Sequence, residues 1–168
     1  MQRILVVGMS GAGKTTAARA LATRLGQPMH EMDTLALGPN WSTPSDFVDT
    51  VEAILHEPGW VFDSWGYPPV RAAMWAAVDT VVWLDYPRRV VLPRLIRRSL
   101  RRSFLKTRIF GGNRERWRDW LKLDHPVWYA IRTFDQRRTL LRDLSSGKTT
   151  HRFTTPTQFD RWLADLTG

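Results

Sequence analysis

Cysteine is absent from the 168 residues. That excludes disulfides and thiolate metal sites, and it fits a chain kept in a reducing cytosol. Long apolar runs are missing too. None approaches the roughly 18 residues of a membrane span, and the run at residues 4–7 is too short for a secretory leader. The four histidines show no metal-ligand spacing. With no internal repeat and no low-complexity linker, a single domain over residues 1–168 is expected.

Acids are scarce in one place. Residues 88–118 hold twelve Lys and Arg against one acid, Glu115. Their charge of +11 exceeds the +9 of the whole chain, so the remainder is slightly acidic. A basic block confined this way reads as a phosphate-handling element or a nucleic-acid patch, not as a general basic coat.

What the chain does contain is an alternation of short apolar runs with longer amphipathic stretches. This predicts a doubly wound α/β fold. Its sheet should be parallel and mainly five-stranded, with helices on both faces and ligands at the strands' carboxyl ends. Strands are expected at 4–7, 28–31, 60–62, 80–84 and 149–153. Helices are expected at 14–25, 45–57, 69–77, 87–104, 126–144 and 157–166. Ser45 or Thr43 should cap the second helix, Pro87 should open the fourth, and Pro93 should kink it or shift its start. Residues 105–125 read as irregular, with Gly111-Gly112-Asn113 at their middle.

Gly8-Met9-Ser10-Gly11-Ala12-Gly13-Lys14-Thr15 matches the phosphate-loop pattern G-x-x-x-x-G-K-S/T in full. Such a loop turns backbone N–H groups inward, and the helix starting at Lys14 aims its positive dipole end at the same spot. Gly8, Ser10, Gly11, Ala12, Gly13, Lys14, Thr15 and Thr16 are therefore expected to bind a nucleoside triphosphate. Lys14 should reach the β- and γ-phosphates and the Thr15 hydroxyl should ligate Mg²⁺. ATP and Mg²⁺ are the implied cofactors. A chance glycine turn is the competing explanation, and the strand before and helix after weigh against it. A GTPase needs a guanine-selecting N-K-x-D, which is absent. A large ATPase needs more chain.

Asp63 ends an apolar strand, where a carboxylate holds Mg²⁺ through water; the plain alternative is a turn or cap residue. Asp85 has the same placement, but with Pro87 following it reads first as a helix cap. Asp33 follows the second strand and can orient an acceptor hydroxyl. Arg94, Arg98 and Arg101 fall on one helical face, and Arg102 lies close by. Like charges so close call for an anion, with a solvated basic face as the alternative. Arg114 is a candidate arginine finger over the γ-phosphate, and Arg132 a further one. Trp41, Trp65 and Trp117 can line an acceptor pocket, although packing is the plainer reading. His30 can touch substrate or simply pack.

Trp60-Val61-Phe62-Asp63 followed by Tyr67-Pro68-Pro69-Val70-Arg71 resembles the acceptor-site pattern of adenylate kinases, strand-Asp-Gly-Pro-Arg. Arg94 and Arg98 match the Arg-x-x-x-Arg that leads into that superfamily's lid. Nearly the whole chain is similar to the adenylate-kinase-like proteins known as DNA topology modulation kinases. The likeness is carried by His30-x-x-Asp33, Pro39-Asn40-Trp41, Trp60-Val61, the run from Asp79 to Asp85 with Pro87-Arg88, and Gly112-Asn113-Arg114-Glu115. Where that family has Asp-Gly-Asn-Tyr, this chain has Asp63-Ser64-Trp65-Gly66-Tyr67, a departure at the acceptor site.

The resemblance implies an ATP- and Mg²⁺-dependent phosphotransferase acting on a small acceptor, a nucleotide or nucleoside among the options. Together with the residue readings above, it assigns Lys14, Asp33, Arg94, Arg98 and Arg114 to catalysis, Asp33, Asp63 and Arg71 to the acceptor, Thr15 and Asp63 to the metal, and about 105–125 to an Arg-rich lid. Asp33 takes the place of a similar Asp in shikimate-kinase-like enzymes. A cytoplasmic monomer or dimer with no membrane partner is expected. The alternative is an ATP-modulated nucleic-acid-binding regulator, in which residues 88–118 hold phosphates while Phe104, Phe110 and Trp117 stack on bases.

Overall fold

A computed structural model describes residues 1–105, 108–114 and 126–166. Its main sheet has five parallel strands in the order β2-β3-β1-β4-β7. These are β1 (Arg3–Gly8), β2 (Met29–His30), β3 (Trp60–Phe62), β4 (Thr80–Leu84) and β7 (Thr149–Phe153). The interrupted order leaves a crevice beside the carboxyl end of β1, where a doubly wound sheet takes its ligand.

Apart from Arg3 and Thr80 at their starts, the central strands are apolar because both faces are covered. In β1, Leu5 and Val7 face one core layer with Trp60, Phe62, Val81 and Trp83. That layer packs on α3 (Phe47–Leu55) and α4 (Pro68–Ala77), through Val51, Val70 and Met74. Ile4 and Val6 face the other layer with Val61, Val82 and Leu84. It packs on α1 (Lys14–Leu25) and α8 (Pro156–Asp165), through Ala18, Leu21 and Phe159.

The expected strands and the first helix are found within a residue or two. Several expectations need correction. Asp33 follows β2 as expected, but the residues around it form a short helix that was not expected, α2 (Met32–Ala36). The helix expected at 45–57 starts at Phe47, and its cap, Asp46, makes no side-chain cap hydrogen bond, so neither Thr43 nor Ser45 has that role. Pro87 is the extended residue before α5 (Arg88–Phe104), one position earlier than expected, and α5 runs on through Pro93. The stretch 126–144 is two helices, α6 (Pro126–Arg132) and α7 (Phe134–Ser145). They part at Thr133, whose backbone leaves the helical region at φ −94° and ψ 6° and whose hydroxyl and N–H both donate to the Tyr129 carbonyl, at 2.8 and 3.0 Å.

Residues 108–114 form a small antiparallel pair, β5 (Arg108–Ile109) and β6 (Asn113–Arg114). Asn113 clasps it to the 3₁₀ turn at Pro39–Trp41. Its amide donates to the carbonyls of Gly38 at 2.8 Å and Phe110 at 2.6 Å, and its oxygen accepts the Trp41 N–H at 3.2 Å. The rest of the expected lid, residues 106–107 and 115–125, lies outside the described residues.

Asp85 is no helix cap. Its side chain is 2% exposed, and it accepts from Arg138 Nε and Nη2 at 2.7 and 2.8 Å and from Arg152 Nε at 2.8 Å, with Arg152 Nη2 also in contact. A carboxylate that has left water needs these donors more than they need it, because both guanidinium groups stay partly in solvent. Arg138→Ala and Arg152→Ala are each expected to cost about 1.5–3 kcal/mol in urea denaturation. Lysine at either position should recover less than half of that, since an ammonium cannot fork.

Candidate active site

Gly8 sits level with Leu84 in the β1–β4 register, so the loop leaves the sheet at its carboxyl edge. The turn that follows is set by close approach. At Gly11 φ is +91°, and a methyl there would stand 2.4 Å from the Val91 carbonyl oxygen of α5. Gly13 caps α1 in the left-handed region, also at φ +91°, but faces open space. Gly13→Ala is expected to cost about 1–2 kcal/mol from backbone strain alone. Gly11→Ala should cost more, because the methyl also pushes α5 away; urea denaturation of both variants compares them.

Lys14 stands over the loop, its ammonium donating to the Met9 carbonyl at 3.4 Å. Burial pushes its pKa from 10.5 down to about 8, against the pull of Asp63 and Asp33 and with Arg98 and Arg137 adding to the fall. The Thr15 hydroxyl donates to Asp63 Oδ2 at 2.5 Å, and the other Asp63 oxygen accepts the Met32 N–H at 3.0 Å. Asp63 thus joins the phosphate loop to the start of α2. In the first turn of α2, Asp33 Oδ1 accepts the Tyr67 hydroxyl at 3.0 Å. Burial and the two carboxylates push the Tyr67 phenol well above its ordinary range.

These groups share one cavity of about 990 Å³. Gly8, Ser10, Gly11, Gly13, Lys14, Thr15 and Thr16 line it on one side, and Asp33, Asp63, Trp65, Tyr67 and Arg71 on another. Arg94, Arg98 and Arg102 line it from α5, and Arg137 from α7. Arg102 stands where Arg101 was expected, because successive steps of four follow one ridge of the helix. Six cations therefore face three carboxylates, and one of these, Glu31, is already paired with Arg19 at 2.6 Å.

Most of the expected site residues are thus brought together. Ala12 is the exception in the loop: it is buried in the core, and its N–H is spent on the Met9 carbonyl at 3.0 Å. Arg114 lies in β6, and its expected role as a finger concerns a side chain outside those described. Trp117 is also outside them. Arg132 and Trp41 are not among the cavity's lining residues, and Trp41 is 47% exposed. Trp65 does line it, with the Arg71 guanidinium 4.7 Å and that of Arg137 5.3 Å from its ring. His30 sits in β2 beside Phe62, its Nε2 buried without a partner.

Sequence reasoning missed Tyr67 as a partner of Asp33, and it missed Arg137. The Tyr67 signal was present in the departure from Asp-Gly-Asn-Tyr. Arg137 carried none beyond its place in an Arg-rich helix.

The donor set suits Mg²⁺, which takes one or two carboxylates and leaves its other positions to phosphate oxygens and water. Thr15 Oγ1 and Asp63 Oδ2 supply hard oxygens beside the loop. Among the described residues no cluster of three or more His, Cys, Asp or Glu would hold a metal unaided.

Residues 4–58 match the model of the ATPase family associated with various cellular activities. No curated protein matches the chain. Solved structures do. Shikimate kinase from Acinetobacter baumannii in complex with shikimate superposes with a TM-score of 0.61 at 20% identity, over 96% of this chain and 88% of that one. The fold is that of the P-loop nucleoside triphosphate hydrolases. Shikimate kinase from Bacteroides thetaiotaomicron shares this P-loop fold at TM-score 0.54 and 18% identity, over 97% and 94% of the two chains. A gluconokinase from Sinorhizobium meliloti 1021 does so at 0.54 and 17%, over 96% and 89%. No helix of the described residues is long and apolar enough to cross a membrane.

The depressed lysine gives this P-loop site a pH signature. The folded chain releases the Lys14 proton near pH 8, while an unfolded chain holds it to about 10.5. Between those values the unfolded state binds more protons, so stability rises with pH. Below pH 8 the full cost of a buried charge is present. Lys14→Met is therefore expected to be more stable than the parent at pH 7, with the gain shrinking as pH passes from 8 to 10.5. Urea denaturation across that window measures it.

Proposed function

We propose that this protein is an ATP- and Mg²⁺-dependent phosphotransferase that moves the γ-phosphoryl group to a small acceptor, a nucleotide or nucleoside among the candidates. One observation carries the reading: the Asp63 bridge sets Lys14 and Thr15 in the same cavity as the Asp33–Tyr67 pair. A phosphate loop alone only binds. A phosphate loop facing a second carboxylate across a roomy basic cavity has somewhere to send the phosphoryl group. The kinase folds of the superposed structures are consistent with this.

In this reading backbone N–H groups of the loop and Lys14 hold the β- and γ-phosphates, and Arg94, Arg98, Arg102 and Arg137 spread over the charge that builds as the group moves. Thr15 and Asp63 would hold Mg²⁺, which when bound neutralises phosphate charge. Asp33 accepts a hydrogen bond from the acceptor's attacking hydroxyl. The acceptor oxygen bonds to the γ-phosphorus, the bond from that phosphorus to the β–γ bridging oxygen breaks, and ADP leaves with that oxygen. The hydroxyl proton passes to Asp33 and on to solvent. Arg71, beside Trp65, lies on the acceptor side of Asp33.

The rival reading puts residues 88–118 on nucleic acid. Arg88 pairs with Asp135 at 2.6 Å, and Arg94, Arg98 and Arg102 line the same cavity as the phosphate loop, which favours a phosphate ligand held at the loop over an open strand.

The test is ADP release from Mg-ATP with nucleoside monophosphates, nucleosides and sugar acids as acceptors. One of these is expected to stimulate the parent protein. Lys14→Ala should lose at least about 100-fold while keeping its circular dichroism. Full turnover in a folded Lys14→Ala variant overturns the mechanism. No stimulation by any acceptor, together with salt-sensitive binding of single-stranded DNA, favours the rival.

A further inference from the structure

Asp33 has an unusual support for a group asked to orient a substrate. It projects from α2, only five residues long, and its side chain is exposed. Left alone, such a carboxylate samples several rotamers, and each wrong one takes its oxygens off the acceptor. Tyr67 is held much more firmly. It is the residue before Pro68-Pro69 at the start of α4, so its backbone is confined to the extended region it adopts, φ −70° and ψ 155°. Its ring packs edge-on against Phe47 at 6.0 Å and 77°, and Phe47 is a core residue of α3. Fixed at its backbone and at its ring, it delivers a hydroxyl to one oxygen of Asp33 at 3.0 Å.

We propose that Tyr67 is a positioning residue: its hydroxyl fixes the Asp33 carboxylate by occupying Oδ1, which leaves Oδ2 to receive the hydrogen bond of the acceptor's hydroxyl. The inference rests on the phosphotransferase reading. The chemistry fits, because an ionised carboxylate only accepts and a phenol held in its protonated form donates. Tyr67 and Trp65 both line the cavity and Arg71 follows in α4, so the segment that departs from Asp-Gly-Asn-Tyr supplies the acceptor wall as a unit.

Two measurements test it. Tyr67→Phe keeps the ring against Phe47 and removes only the donor. The first uses whichever nucleoside monophosphate, nucleoside or sugar acid stimulates the parent protein. Tyr67→Phe is expected to lower kcat about 10- to 100-fold with KM for ATP unchanged. The Asp33→Ala, Tyr67→Phe double variant should be no slower than Asp33→Ala within about 2-fold, because a residue that acts through Asp33 has nothing left to position. Additive losses, or a parent-like kcat in Tyr67→Phe, overturn the proposal. The second needs no turnover. In protein labelled at tyrosine Cζ with ¹³C, Asp33→Ala should shift the Tyr67 resonance, which Tyr67→Phe identifies by its loss, while Tyr86 and Tyr129 stay in place. An unmoved Tyr67 signal overturns the bond itself. Absence of acceptor stimulation in the parent protein sinks the phosphotransferase reading and this role with it, and a shifted signal would then report a structural bond only.

Discussion

The carboxylate of Asp63 stands where the phosphate loop meets the start of α2. It has two oxygens and uses both inside the protein, one on the Thr15 hydroxyl and one on the Met32 N–H. The first bond fixes the start of α1, and with it the loop that ends at Gly13. The second fixes the start of α2, and with it Asp33. Phosphoryl transfer asks little covalent chemistry of a protein and a great deal of positioning. A single group that sets both halves of the site in one register supplies what such a reaction needs. It also explains why β3 must end where it does: one residue shorter or longer, and the side chain leaving the strand would point to the other face of the sheet.

Asp85 shows that strand-end placement alone does not decide a residue's work. Asp63 and Asp85 both follow buried apolar strands, and both lie at the carboxyl edge. Asp63 meets a hydroxyl and a backbone N–H, so it stays partly open to the cavity. Asp85 meets two guanidinium groups and is consumed by them. The arginines divide in the same way. Arg88, Arg138 and Arg152 pair with carboxylates, and Arg88 and Arg152 also lie over Phe134 and Trp83, whereas Arg71 and Arg137 lie over aromatic rings and line the cavity. Flat aromatic faces keep a guanidinium ordered without neutralising it, which leaves its charge for an anion in the cavity.

What could be read beforehand followed from local rules. The phosphate loop is a contiguous pattern, the three central strands are rich in Ile, Leu, Val and Trp buried on both faces, and α1 is bracketed by glycines. Thr15 and Asp63 could be matched because each sits at a fixed place relative to a strand. The rest depends on contacts distant in sequence. Nothing near Asp85 foretells Arg138 and Arg152, and Thr133 looks like any helical residue until its hydroxyl turns back on Tyr129. The choice of Arg102 over Arg101 is a matter of which ridge of α5 faces the cavity. Asp33 was placed correctly past β2, but a five-residue helix is too short to show a period.

The Asn113 clasp gives a reason why two separate short motifs travel together in this chain. Pro39-Asn40-Trp41 and Gly112-Asn113 meet side by side in the fold. In the structure Asn113 uses both ends of its amide to hold the Gly38–Trp41 backbone against the small β5–β6 pair. That backbone is strained: Asn40 and Trp41 both have positive φ, at 54° and 61°. Such strain persists only where surrounding bonds impose it. The turn it shapes follows directly from α2, so the segment bearing Asp33 is fastened at its front by Asp63, at its side by Tyr67 and at its back by Asn113. Bonds from two distant parts of the chain, residues 63–67 and Asn113, thus hold one short helix and the turn that follows it.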